Sequence, residues 1–396
     1  MADRDLRMRI QGMTCTDCEI HITRALERAG AREVTADFRR GVARLRVPSD
    51  LSEIALLDAV RQAGYTPMRV EEVRATPGPA VPEGGTGGAS GEGIYDLAIV
   101  GSGGAAFAAA IRARDRGARV VMIERGTVGG TCVNIGCVPS KTLLRGGEIS
   151  WGAGHNPFAG VPTHAGKVDL AALIDQQDDL VAQLRQEKYL DLIEDYGWDL
   201  LQGEAHFGDD GRLRVDGNVI RATKVLLATG ASPAIPPIPG LTDVPYLTST
   251  SALALTILPQ SLVVIGSGYV ALELGQLFRH LGSRVTLMQR SPRLLTSYDP
   301  EISDAVAAVL TEQGIELVTG VRYERIEQRG GTVVVHLTVD GVSRTVKGER
   351  LLVATGRAPN TQTLGPDRTG IAVGAKGQIL VNEYLQTSKS GRLRRG

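Results

Sequence analysis

The 396-residue chain is poor in several features that other protein classes require. Its four cysteines are too few for the disulfide framework of a secreted domain, and aromatic residues make up only 4% of it. Forty-four basic residues are matched by 44 acidic ones, for a formal charge of zero. That balance disfavours a nucleic-acid-binding face or a polybasic membrane anchor. Long apolar runs are missing as well: residues 244–272 carry no charge, but Pro245, Pro259, Gln260 and several Ser and Thr interrupt them, so no membrane span is expected there. The N-terminal MADRDLRMRI is charged from its third residue and lacks an apolar core, so it does not read as a signal peptide. A cytoplasmic protein is the expectation.

Glycine, by contrast, is abundant. Forty-nine glycines in 396 residues is about 12% of the chain against a usual ~7%, without a collagen period, which predicts many tight turns or phosphate loops. The cysteines fall in two close pairs, Cys15 with Cys18 and Cys132 with Cys137, a pattern of redox chemistry or metal binding in a reducing compartment.

Residues 76–93, TPGPAVPEGGTGGASGEG, can bury almost nothing and read as a flexible tether. Before it, LRMRI, a stretch from Thr16 to Ala29 with Ile22, Leu26 and Ala29 on one face, VTADF, VARLRV, a helix from Leu51 to Ala63 and TPMRVEEV predict βαββαβ, a small ferredoxin-like α+β module over 1–72 with 73–93 as linker. After it come two similar passages, IYDLAIVGSGGAAFAAAIRARDRGARVVMIERG and SLVVIGSGYVALELGQLFRHLGSRVTLMQRS. Each is an apolar strand, a Gly-Ser-Gly turn, a helix and a second strand. The same spacing separates Gly101 from Glu124 and Gly266 from Gln289, so two Rossmann-like dinucleotide-binding units of an α/β protein are expected. LLATGASP at 226–233 and LLVATGRAPN at 351–360 are each read as closing the domain that its glycine turn opened. The expected boundaries are 94–243 and 244–360, with 361–396 returning to the first domain.

In the first unit Gly101 makes the tight turn, Gly103 lets the backbone approach a pyrophosphate at a helix N-terminus, and Ala106 allows close helix–strand packing. Glu124 has the position to accept both hydroxyls of an adenosine ribose. The second unit repeats Gly266, Gly268 and Ala271, but Gln289 replaces the acid and Arg290 follows, which suits a 2′-phosphate and favours NADPH over NADH. In GGTCVNIGCVPSK, residues 129–141, Cys132 and Cys137 would diverge on a regular helix, so a distorted turn is required; Gly129, Gly130, Gly136 and Pro139 supply it. A helix start there is expected to lower the thiol pKa, and Lys141 could bring a cation close.

These motifs resemble the flavoprotein disulfide reductases, over residues 94 to about 388. The resemblance implies that Gly101, Gly103, Glu124, Gly130, Thr131, Thr229 and Gly230 line FAD, and that Gly266, Gly268, Glu273, Arg290 and Gly356 line the nicotinamide dinucleotide. It further implies that Tyr269 is an aromatic gate over the flavin and that Lys141 and Glu273 form an ion pair beside it. Cys132 and Cys137 would be the redox-active pair, opened by two electrons from the flavin.

In IQGMTCTDCEI, Cys15 and Cys18 open a helix and can clamp one soft cation; Asp17 and His21 add little for mercury. A thioredoxin-like redox pair is the rival reading, but Gly-Met-Thr-Cys-x-x-Cys in a βαββαβ pattern resembles the heavy-metal-associated domain. Together the halves resemble the mercury-reducing branch of the reductase family, which implies that Cys15 and Cys18 would capture Hg(II), held as thiol complexes, and that Cys132 and Cys137 would receive it for reduction to Hg(0). A dihydrolipoamide dehydrogenase-like enzyme and a non-catalytic metal-binding remnant stay open as alternatives. After VNEYLQTS the chain reads KSGRLRRG, where the family continues with a second flavin motif, an interface domain that forms the homodimer and a further cysteine pair. The expectation is a truncated chain with weak FAD binding and impaired turnover.

Overall fold

The computed structural model describes residues 4–11, 16–37, 42–49, 51–72 and 94–389. The chain divides into two compact units, Met1–Gly88 and Ala89–Gly396. The linker expected at 73–93 lies outside the described residues.

The first unit runs β1 (Arg4–Gln11), α1 (Thr16–Arg28), β2 (Arg32–Asp37), β3 (Val42–Val47), α2 (Glu53–Gln62) and β4 (Thr66–Glu72). Its antiparallel sheet has the order β2-β3-β1-β4, as the βαββαβ pattern requires. The sheet's inward residues Leu6, Met8 and Leu45 meet Ile22 and Leu26 of α1 and Leu56 and Val60 of α2 in one core. The second helix starts later than its apolar pattern suggested, because Ser52 caps it: its hydroxyl accepts from the Ile54 amide at 3.2 Å.

The second unit begins with β5 (Tyr95–Val100), α3 (Gly104–Arg114), β6 (Val120–Glu124), α4 (Gly130–Ile135), α5 (Cys137–Gly154) and α6 (Leu170–Arg185). A π-turn at Gln186–Leu190 leads into α7 (Asp191–Tyr196), β7 (Asp199–Gln202), β8 (Ala205–Phe207), β9 (Leu213–Val215), β10 (Asn218–Val219) and β11 (Ala222–Leu227). Strands β11-β5-β6-β7 form a parallel sheet. Alternation along its strands sends Ile99 and Met122 toward Ala106, Phe107 and Ala110 of α3, and Val100 and Ile123 toward the small β10-β9-β8 sheet.

The chain then crosses by β12 (Ala231–Pro233) and α8 (Ser249–Ala252) into β13 (Ser261–Ile265), α9 (Tyr269–Leu281), β14 (Arg284–Met288), α10 (Pro300–Glu312) and β15 (Glu316–Val318). It continues through β16 (Arg322–Arg329), β17 (Thr332–Val339), β18 (Val342–Gly348), β19 (Arg350–Val353) and β20 (Arg357–Pro359). The parallel sheet β15-β14-β13-β19 repeats the first, with α9 on one face and the antiparallel β16-β17-β18 sheet on the other. The sequence pattern did not announce these antiparallel layers. Each Ala-Thr-Gly strand, β11 and β19, lies beside the strand its glycine turn follows, β5 and β13. β12 pairs antiparallel with β20, and Leu364 and Ile371 beyond it pack back into the first half's core.

Both glycine turns are held by one constraint. Gly101 (φ +108°) and Gly266 (φ +125°) lie in the left-handed region, and a Cβ on either would run into a backbone carbonyl of the closing strand's end, that of Ala228 or Ala354. Gly266→Ala is expected to destabilise the chain by about 1–3 kcal/mol. Gly268→Ala, extended at φ −78° with open space around its Cβ, should be near neutral. Denaturant unfolding of the two variants checks the contrast.

Candidate functional site

The segment between β6 and α5 folds as the cysteine spacing demanded. Helix α4 stops at Gly136 (φ −132°, ψ −111°), and Cys137 starts a new helix. A Cβ at Gly136 would sit 2.8 Å from the Thr131 carbonyl oxygen, so the break is as tight as glycine permits. It turns Cys137 back toward Cys132; the two free, exposed thiols are hydrogen-bonded to each other. That bond, followed by burial and the neighbouring sulfur's charge, pushes the Cys132 thiol above its usual range. The lowering expected from a helix start is therefore not found at Cys132, whose thiol is shifted the other way.

Tyr189, on the π-turn, was not singled out from the sequence. Its phenol is pushed up by burial and then by the charges of Cys132 and Cys137, while its ring packs edge-on against Phe107 with centroids 4.7 Å apart.

Lys141, one turn into α5, reaches Glu273, one turn into α9, with Nζ and Oε1 2.6 Å apart. Both side chains are substantially exposed, so the pair's value lies in alignment more than in stability. Tyr269 is the first residue of α9 and is 60% exposed, which rules out a core role. Ala106 and Ala271 are fully buried; they allow close packing of helix on strand and line neither cavity.

A cavity of about 340 Å³ lies at the start of α9, lined by Gly266, Gly268, Tyr269, Gln289, Arg290, Gly356 and Arg357 among others. The structure therefore gathers the second glycine turn, the expected 2′-phosphate reader and the Ala-Thr-Gly end around one space. A smaller cavity is lined by Gly101, Glu124, Thr229, Asn360 and Thr363. Glu124 is fixed there by Ser102, whose buried hydroxyl donates to Oε2 at 2.5 Å, and by the Gly126 amide, which donates to Oε1 at 2.7 Å. The Ser102 hydroxyl also accepts from the Gly129 amide at 3.2 Å.

Gly130 packs against Gly103 so closely that a Cβ on it would come within 2.5 Å of the Gly103 Cα, and this brings the cysteine segment against the first glycine turn. Thr131 faces Arg357, whose guanidinium donates to its hydroxyl at 3.4 Å and to the Ala231 carbonyl. Asn360 donates to the Thr229 carbonyl at 3.0 Å, and its amide to that of Gly230 at 3.0 Å. Ser102, Asn360, Arg357 and Tyr189 thus stand in the candidate site, and sequence reasoning did not single them out. Ser102 had one available signal, its place between the two glycines. The turns leave the N-termini of α3 and α9 uncrowded, with open space at the Gly104 and Gly268 Cβ positions, so the residues present fit two dinucleotides.

In the first unit, Cys15 lies outside the described residues and Cys18 sits on α1. Among the described residues no group of three or more metal-ligating side chains gathers, and no helix is long and apolar enough to cross a membrane.

Residues 95–391 match the model of the pyridine nucleotide-disulphide oxidoreductases, and residues 7–66 match that of the heavy-metal-associated domain. The chain belongs to the pyridine nucleotide-disulphide oxidoreductase family. It is 54% identical over 390 residues to mercuric reductase of Staphylococcus aureus, which covers 98% of this chain and 70% of that relative. It is 51% identical over 384 residues to mercuric reductase of Bacillus cereus, covering 97% of this chain and 60% of the relative. Among solved structures, the Cu(II) complex of the HOCl-induced flavoprotein disulfide reductase RclA from Escherichia coli superposes with a TM-score of 0.67 at 32% identity, covering 76% of this chain and 65% of that one.

In the reduced protein, Cys132 should alkylate with iodoacetamide along a pH profile displaced above that of a free thiol. Cys137→Ala removes the largest cause of the shift and should move the profile down; an unmoved profile would contradict the assigned cause.

Proposed function

We propose that the chain reduces Hg(II) to Hg(0) with NADPH, using FAD and the Cys132/Cys137 pair, and that its N-terminal module captures the ion. The observation that carries this reading is the dithiol itself: two free, mutually hydrogen-bonded sulfurs, exposed to a ligand and aligned through Lys141 and Glu273 with the helix that opens the larger cavity. The identity to mercuric reductases over nearly the whole chain supports the choice of substrate.

Around FAD, Gly101 and Gly103 would leave room for the pyrophosphate at the start of α3, with Gly130, Thr131, Thr229 and Gly230 beside it. Glu124, held open by Ser102, would accept the ribose hydroxyls. When bound, FAD would supply two-electron chemistry between the nicotinamide and the Cys132/Cys137 pair. Around NADPH, Gly266, Gly268 and Gly356 would take the dinucleotide backbone and Arg290 the 2′-phosphate; Gln289 leaves no carboxylate to repel it.

Cys132 and Cys137 each give up a proton on binding Hg(II), and two thiolates suit a linear, two-coordinate soft ion. Tyr189, close enough to feel both charges, would donate a hydrogen bond to a thiolate. The overall balance is Hg(II) plus NADPH giving Hg(0), NADP⁺ and a proton. Cys15 and Cys18 would bind the ion first and pass it on by thiol exchange, the tether raising its concentration near the second pair. Delivery as thiol complexes and a homodimer are part of the same proposal, inferred from the resemblance.

FAD-loaded chain given NADPH, excess thiol and Hg(II) should release mercury vapour in step with NADPH oxidation, and Cys132→Ser or Cys137→Ser should abolish the release. NADPH oxidation without mercury loss would overturn the reading. Arg290→Ala should raise KM about 10- to 100-fold for NADPH while barely moving that for NADH, the effect of losing a charge-assisted phosphate contact. Steady-state kinetics with both nucleotides checks it.

A further inference from the structure

Tyr269 stands on the rim of the 340 Å³ cavity, immediately after the glycine turn. Its hydroxyl is hydrogen-bonded to that of Tyr298, and the two rings meet edge to face with centroids 6.2 Å apart. Tyr298 belongs to no helix or strand. It lies in the loop between β14 and α10, and that loop begins with Gln289 and Arg290, which line the same cavity.

The loop is tied down on the way from Arg290 to Tyr298. Leu294 is buried, and its carbonyl accepts from the buried Ser303 hydroxyl at 2.7 Å. Leu295 takes φ +45°, a conformation costly for a residue with a branched side chain and sustained only where the surroundings impose it. The Tyr298 amide then donates to the Leu295 carbonyl at 2.9 Å. Tyr298 is therefore presented by an anchored loop, whereas Tyr269 projects from a helix start with most of its ring in solvent.

We propose that Tyr298 is a positioning residue that latches Tyr269 at the cavity rim and keeps the nicotinamide end of the nucleotide site open. The inference rests on reading this cavity as the NADPH site. The latch ties the gate to the loop that carries Arg290, so the segment that reads the adenosine end also sets the position of the ring at the other end. Without the latch, Tyr269 is free to turn into the cavity, and a ligand that needs the space pays for the fraction of molecules in which it is filled. An exposed neutral hydrogen bond biases such a two-state ring by about two- to tenfold.

The test compares two ligands on the full chain by titration calorimetry: NADP⁺, which reaches the gate, and adenosine 2′,5′-bisphosphate, which does not. Tyr298→Phe, which keeps the ring, should weaken NADP⁺ about two- to tenfold and leave the bisphosphate unchanged. Tyr269→Phe should match it, and the double variant should lose nothing more, because both substitutions delete one bond. Equal weakening of both ligands would show that Tyr298 merely supports the loop, and unchanged NADP⁺ affinity or additive losses would also overturn the latch. Wild-type chain that binds neither ligand would instead sink the nucleotide reading, and the latch with it.

Discussion

The helix that begins with Cys137 lies along the helix that begins with Tyr269, and the chemistry of the second unit depends on that packing. Three rungs hold the pair. Near the N-termini Lys141 meets Glu273. Further on, Gly147 lets the helices approach until a Cβ there would sit 3.1 Å from the Leu277 side chain. Last, Trp151 stacks with His155 and with His280, at centroid distances of 3.5 and 4.8 Å, and the Arg279 guanidinium lies over its ring. Burial pushes the His280 pKa below its usual value. Leu143, Leu274 and Leu277 fill the seam as members of one core. The sulfur pair and the larger cavity are thus held by one pair of packed helices.

The two halves of that unit solve one problem twice. Each has a parallel sheet with a helix on one face and an antiparallel sheet on the other, and each places a glycine under the carbonyl of its closing strand. What separates them chemically is small. Glu124 ends the second strand of one half, held by two hydrogen bonds; Gln289 follows the corresponding strand of the other, with Arg290 next to it. One half thus carries a fixed carboxylate where the other carries an amide followed by a cation.

Much of this was legible in the sequence because it depends on short-range rules. Glycine turns, apolar strand runs and the spacing from Gly101 to Glu124 are local, and so is the need for a break between Cys132 and Cys137. Asn360, Tyr189 and Tyr298 were not legible, since their partners come from distant segments: Asn360 reaches Thr229, and Tyr298 reaches Tyr269. The π-turn that presents Tyr189 has no periodic signature. The Cys132 thiol was misjudged for a related reason: the helix start could be read from the pattern, but the strength of a sulfur neighbour depends on a distance that only the fold sets. Cys15 and Cys18 remain a reading of the sequence and of the matched heavy-metal-associated domain.

The β12–β20 ribbon has an architectural consequence. The chain leaves the first half along one strand and comes back along its antiparallel neighbour, with Ala231 opposite Pro359 and Pro233 opposite Arg357. The second half is thus a guest spliced into a host where β12 and β20 run side by side. Such a guest can be exchanged for another of similar build without rethreading the host, which gives evolution or an engineer a natural place to swap one electron donor for another.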